Sequence, residues 1–232
     1  MKKVTLDKKV EKKDKTSAIE KRLQKMEIRF DQGEEFVVVD LGSGFIKVGF
    51  SGEDLPRVVM PTCMGEKLAD EAAQNGEGKK DTKSNKYGVE AFAANMKDDV
   101  YDLHYPIQRG IVVDTDRTTK MLEYIFEKQM NLDVKSINVL ITDSPFNTKR
   151  HKQELAEIML DYFKVKSFSL MNTAVLSLFS TGKTCGLVAE CGDGISCTVP
   201  VFEGYALPHA MHYIPVAGQD VTKKLVEELI FT

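Results

Sequence analysis

Between residues 36 and 60 the apolar residues come in short blocks: FVVVD (Phe36 to Asp40), FIKVGF (Phe45 to Phe50) and Arg57 to Met60. Gly-rich or polar turns separate them, at Gly42 to Gly44 and at Ser51 to Leu55. Blocks of that length between turn formers predict a meander of three antiparallel strands. Residues 64 to 88 are poor in apolar side chains and collect Gly, Asn, Asp and Lys, which predicts a surface insertion; taken to its next apolar block it spans 64–104. Beyond it the period lengthens. Met121, Leu122, Ile125, Phe126 and Met130 share one face of a helix over 117–130. Leu155, Ile158, Met159, Tyr162 and Phe163 do the same over 149–163. INVLIT (Ile137 to Thr142) and Ser167 to Leu170 read as strands, and Thr173 to Thr181 as a helix ended by Gly182.

At Cys185 the opening pattern starts again. GLVAE (Gly186 to Glu190), a Gly-rich turn and ISCTVPVFE (Ile195 to Glu203) repeat strand, turn and strand; Met211 to Pro215 and a helix near 218–230 follow. The order βββαβαβα, then βββα, predicts an α/β layer fold with an internal duplication. Three regions follow: residues 1–35 as an N-terminal extension, 36–182 as a first half and 183–232 as the beginning of a second. In the extension, Ser17 and Glu20 have capping-box spacing, and Ile19, Leu23, Met26 and Phe30 form the stripe of one short helix. About fourteen residues of helix are marginal alone in water, so the stripe is expected to pack on the body or on another protein.

Charge sharpens this division. The 232 residues carry 32 Lys and Arg against 35 Asp and Glu, a net of −3. Residues 1–30 hold +6 of it, leaving −9 for the rest. An acidic body lacks the field of a nucleic-acid binder, so nucleic acid is not expected as a partner. No uncharged apolar run approaches the ~18 residues of a membrane span, and the lysine-rich start is unlike a signal peptide. The expectation is a cytoplasmic protein, with the nucleus as the alternative. The cysteines, Cys63, Cys185, Cys191 and Cys197, contain no Cys-x-x-Cys pair and read as free thiols. A zinc site from Cys191, Cys197, His209 and His212 is disfavoured, because six-residue thiol spacing fits no compact knuckle.

The clearest chemical signal is duplicated. Asp40-Leu41-Gly42-Ser43-Gly44 and Glu190-Cys191-Gly192-Asp193-Gly194 place acid-x-Gly-(Ser/Asp)-Gly at the same strand end, 150 residues apart. Glycines there let the backbone turn tightly and leave successive N–H groups for an anion. Two such turns facing each other make a phosphate clamp. The acid ahead of each turn is placed to hold the water shell of a divalent ion, and Lys47 adds a fixed positive charge. Ser43 has no His and Asp partners that would make it a nucleophile, so it reads as a phosphate contact.

These segments carry a resemblance. VVVDLGSGFIKVGFSGEDLPRVVMPT (Val37 to Thr62), YPIQRGIVVD (Tyr105 to Asp114), AVLSLFSTGKTCGLV (Ala174 to Val188) and GDGISCTVPVFEGYALPHA (Gly192 to Ala210) closely resemble actin and the actin-related proteins. The likeness covers about residues 36 to 232. It implies RNase H-like halves closing over ATP or ADP with Mg2+ or Ca2+. Phosphate contacts would come from Gly42, Ser43, Gly44 and Lys47 on one side and Gly192, Asp193 and Gly194 on the other, with Asp40 and Glu190 holding the metal through water.

Against that pattern three positions depart. Conventional actins carry aspartate where this chain has Glu190, which moves the carboxylate by about one methylene. Glu157 is matched to the family's water-positioning glutamine, and Cys197 to its nearby histidine. A carboxylate accepts hydrogen bonds but does not donate, so efficient ATP hydrolysis is not expected. Residues 64–88 do not match the family's DNase-binding loop, and the second half is expected to be unfinished, with an apolar edge that a partner covers. The expected function is a divergent actin-related adaptor in a cytoskeletal assembly, with protein partners. An ATP-hydrolysing filament protein and a nuclear actin-related subunit of a chromatin complex are the alternatives.

Overall fold

The computed structural model describes residues 35–67, 85–97 and 101–230. The basic head and the predicted helix near 17–30 lie outside the described residues.

The chain opens with β1 (Phe36–Leu41), β2 (Phe45–Phe50) and β3 (Val58–Pro61), antiparallel throughout. Alternation buries Val37, Val39 and Leu41 on one face of β1, and Ile46 and Val48 follow on β2.

Part of the expected surface insertion is instead a packed lobe. β4 (Met64–Lys67) pairs with β5 (Lys86–Tyr87) and with β6 (Tyr101–His104), and α1 (Val89–Lys97) lies against β4. Met64 and Ala91 are fully buried, and a methyl on Gly65 would stand 3.4 Å from that of Ala91. Two small residues and one methionine carry the burial, a pattern too short to register as periodicity.

β7 (Ile107–Gln108) and β8 (Ile111–Val112) form a tight hairpin. Its two loop residues, Arg109 and Gly110, have φ of 53° and 71°, the pattern of a type I′ turn. α2 (Thr115–Glu123) follows, capped by Asp114, whose carboxylate accepts from the Arg117 N–H at 2.9 Å. It continues as a π-helix over Tyr124–Gln129, and Met121, Leu122, Ile125 and Phe126 are wholly buried along this run. α3 (Lys149–Glu157), capped by Thr148, likewise ends in a π-helical turn over Ile158–Tyr162. Phe126 meets Phe163 edge to face at 5.5 Å, joining the two helical runs.

Between those helices lies β9 (Asn138–Asp143), and after them β10 (Ser167–Asn172). Both run parallel to β1, giving the sheet order β10-β9-β1-β2-β3. β9 is buried at nearly every position, as an inner parallel strand must be.

α4 (Thr173–Phe179) leads to the second sheet: β11 (Gly186–Cys191), β12 (Ser196–Phe202), β13 (Tyr205–Ala206) and β14 (His212–Ile214). β12 is central and pairs antiparallel with the other three. The repeat is visible in the registers: Ile46 faces Met60 in the first sheet, and Ser196, 150 positions on, faces Ile214 in the second. Ala174, Val175 and Leu178 of α4 pack on Cys197, Val199 and Val201 of β12. The last element, α5 (Gly218–Ile230), buries none of its side chains; Val221, Leu225 and Leu229 form an exposed stripe, and Leu187 is exposed on edge strand β11. No described helix is long and apolar enough to cross a membrane.

Candidate functional site: a cleft between two glycine turns

The β1–β2 and β11–β12 turns meet at the mouth of a cleft of about 570 Å³. Its lining includes Asp40, Gly42, Ser43, Gly44 and Lys47 from the first repeat and Glu190, Gly192, Asp193 and Gly194 from the second. The contact between turns is close. A Cβ on Gly44 would stand 2.9 Å from the Asp193 Cβ, and one on Gly194 would stand 2.3 Å from Ser43 Oγ. Only glycine permits that approach.

The amides of Ser43, Gly44, Asp193 and Gly194 have no acceptor among the described residues. Unpaired backbone donors at two facing turns, with Lys47 beside them, fit a phosphate chain. Ser43 Oγ accepts from the Gly110 N–H at 2.9 Å, which leaves its proton to donate.

The hairpin tip and α5 brace the turns. Arg109 reaches Asp220 with two bonds of 2.6 Å and the Gly194 carbonyl at 3.5 Å. The Gly218 and Gln219 amides donate to the Gly192 and Asp193 carbonyls, both at 2.9 Å. The Gly192 and Asp193 carbonyls of the second turn are thus occupied by protein, while the Asp193 and Gly194 amides are not. No sequence pattern pointed to Arg109 or Asp220, because each is an ordinary surface charge until the fold brings them together.

The two acids are held differently. Asp40 accepts from Lys47 Nζ at 3.0 Å and from Thr142 Oγ1 at 2.8 Å. Glu190 accepts from Thr173 Oγ1 at 3.1 Å and Ser177 Oγ at 2.8 Å. Among the described residues no group of three or more His, Cys, Asp or Glu is arranged to hold a metal ion. A divalent ion here would be held through its water shell, for which Asp40 and Glu190 offer acceptor oxygens.

Two expected site residues are not in this lining. Glu157 is exposed at the end of α3, between the buried Ala156 and Ile158, because the helix turns its apolar stripe inward and position 157 falls outside it. From the same helix the cleft receives Leu155. Cys197 points into the α4–β12 core with Val199 and Val201, following strand alternation. Burial, with Glu190 adding to it, pushes its thiol up from the ordinary value. In their place the cleft holds Thr173 and Ser177 from α4, and Ser144 and Asn147 after β9.

An α/β fold with a repeated strand-turn-strand unit and a cleft between the two glycine turns defines the class. The protein-family model Actin matches residues 32–231. The chain belongs to the actin family.

Proposed function

We propose that the protein is a divergent actin-family adaptor, a structural subunit of a cytoplasmic cytoskeletal assembly such as an axonemal or motor-associated one. In this reading its cleft takes ATP or ADP with a divalent ion and hydrolyses it weakly or not at all. The observation that carries the reading is the contrast within the cleft. The Ser43, Gly44, Asp193 and Gly194 amides are unpaired, whereas the carboxylates of Asp40 and Glu190 are engaged by Lys47, Thr142, Thr173 and Ser177. Glu157, the carboxylate expected near the attacking water, is outside the cleft lining, while two accepted hydrogen bonds leave Asp40 and Glu190 further lone pairs for an ion's water shell.

The chain's own residues would bind and orient. The two turns donate to phosphate oxygens, Lys47 supplies positive charge, and the Arg109–Asp220 pair keeps the turns at a fixed separation. A bound Mg2+ or Ca2+ would neutralise charge on the phosphates, with Asp40 and Glu190 holding its water shell. The exposed stripe of α5 and the open edge of β11 support protein partners.

Calorimetry with Mg-ATP and Mg-ADP, alongside steady-state phosphate release, tests the reading. Binding without turnover is expected. Sustained turnover overturns the adaptor role, and failure to bind either nucleotide overturns the cleft assignment.

A further inference from the structure

Two residues that line the cleft each carry a side-chain atom that is sealed from solvent and has no partner: Ser144 Oγ and Asn147 Oδ1. They belong to one turn after β9, where the Asn147 N–H donates to the Ser144 carbonyl at 3.0 Å. The orientation of the Asn147 amide is determined by its other end. Its Nδ2 donates to Asp143 Oδ1 at 2.9 Å, and Asp143 is itself paired with Lys152 at 2.6 Å. With the nitrogen committed to a carboxylate, Oδ1 is left as a bare acceptor. A buried polar atom without a partner costs stability, so two on one turn require an explanation.

Their position supplies one. Ser144 Oγ lies 3.1 Å from the point a Gly110 Cβ would occupy, and the Gly110 N–H donates to Ser43 Oγ at 2.9 Å. Gly110 therefore separates two hydroxyls, one on the first glycine turn and one on the β9 turn. The Ser43 hydroxyl has its proton free, and the Ser144 hydroxyl has both its proton and its lone pairs free.

We propose that Ser144 and Asn147 form a third binding element of the cleft: a bound phosphate chain draws the Ser144 side chain to a rotamer whose Oγ donates to a phosphate oxygen, and Asn147 Oδ1 accepts from a water taken up with that chain. The division of labour follows from the chemistry. A phosphate oxygen and an amide oxygen both accept, so they cannot bond directly, and a water with two protons joins them. A hydroxyl needs no intermediary. This inference rests on the cleft being a phosphate site.

The full chain and its Ser144→Ala and Ser144→Thr variants are titrated with inorganic pyrophosphate and with Mg-ATP by calorimetry, and each is unfolded in urea without ligand. Ser144→Ala is expected to lose about tenfold in affinity for both probes, the worth of one hydrogen bond to a charged acceptor. Its unfolding midpoint should hold or rise, because the hydroxyl removed had no partner to lose. Ser144→Thr restores the hydroxyl and should bind within about threefold of the natural protein. Unchanged affinity in Ser144→Ala overturns the proposal. So does a loss of ligand-free stability, which would reveal an internal partner for the hydroxyl. A natural protein that binds neither probe overturns the phosphate-cleft reading and this inference together, whereas one that binds both while Ser144→Ala is indifferent overturns this inference alone.

Discussion

Asp40 and Glu190 end equivalent strands of the two repeats, yet across its ladder Asp40 faces Lys47 and Glu190 faces Cys197. The first repeat neutralises its acid with an ammonium group 3.0 Å away. In the second the matching position is a buried thiol, and the carboxylate is held by two hydroxyls that leave its charge in place. The cleft is electrostatically lopsided as a result, with uncompensated negative charge on the second repeat's side.

That asymmetry predicts how a divalent ion affects binding. Removing the charge in Glu190→Gln should strengthen the binding of Mg-free ATP and shrink the benefit of Mg2+ by several-fold, since repulsion and ion retention come from the same carboxylate. Calorimetry with and without Mg2+ checks it. An unchanged Mg2+ benefit would remove Glu190 from the ion's surroundings.

The glycine turns give a graded stability series. Gly194→Ala places a methyl 2.3 Å from Ser43 Oγ and 3.0 Å from the Arg109 amide, and Gly44→Ala drives one into Asp193. Each should cost about 1–3 kcal/mol. At Gly192 the nearest atom is the Ile195 carbonyl at 3.3 Å, so alanine there should cost less. Urea unfolding of the three variants, ranked side by side, decides the order.

Acid should loosen the tie between the halves late. Arg109 and the Ala217 N–H hold the Asp220 carboxyl at about 2, below its ordinary 3.8, with Lys223 acting in the same direction. Tyr213 and Asp193 also act electrostatically on Arg109. A carboxyl depressed by folding stabilises fully above its unfolded value and loses that contribution as pH falls through its folded value. The stability gap between the natural protein and Asp220→Asn should be constant from about pH 5 to 8 and should narrow from about pH 4 toward 2. A gap that changes near neutrality would assign the effect to another group.

Thiol chemistry separates the four cysteines. Cys185 and Cys191 are exposed, whereas Cys63 and Cys197 are buried. Burial pushes the Cys63 thiol up to about 11, outweighing its hydrogen bond to the Gly88 carbonyl at 3.3 Å. At pH 8 a thiol reagent should label Cys185 and Cys191 in the folded protein, and all four only in urea. Cys191 lines the cleft, so saturating ADP should slow its labelling and leave Cys185 unaffected.

Much of the framework was legible along the chain. The opening strands, their return after Cys185 and the helices that bury Met121, Leu122, Leu155 and Ile158 all follow short-range rules, because alternation and helical period are properties of neighbouring residues. The lobe built on β4 and α1 was not, since Met64, Gly65 and Ala91 are buried by partners distant in sequence rather than by a local stripe.

What the sequence by itself determined was a duplicated strand-turn-strand unit and the glycines that allow two backbones to approach. Those depend on residue type alone. Only the tertiary structure decided which side chains reach the space between the turns. Glu157 faces outward and Cys197 inward, while Ser144 and Thr173 line the cleft and Arg109 pairs with Asp220 beside the second turn. The rotation of a helix about its axis and the docking of one sheet on another are settled by packing across the whole chain, and no run of adjacent residues encodes them.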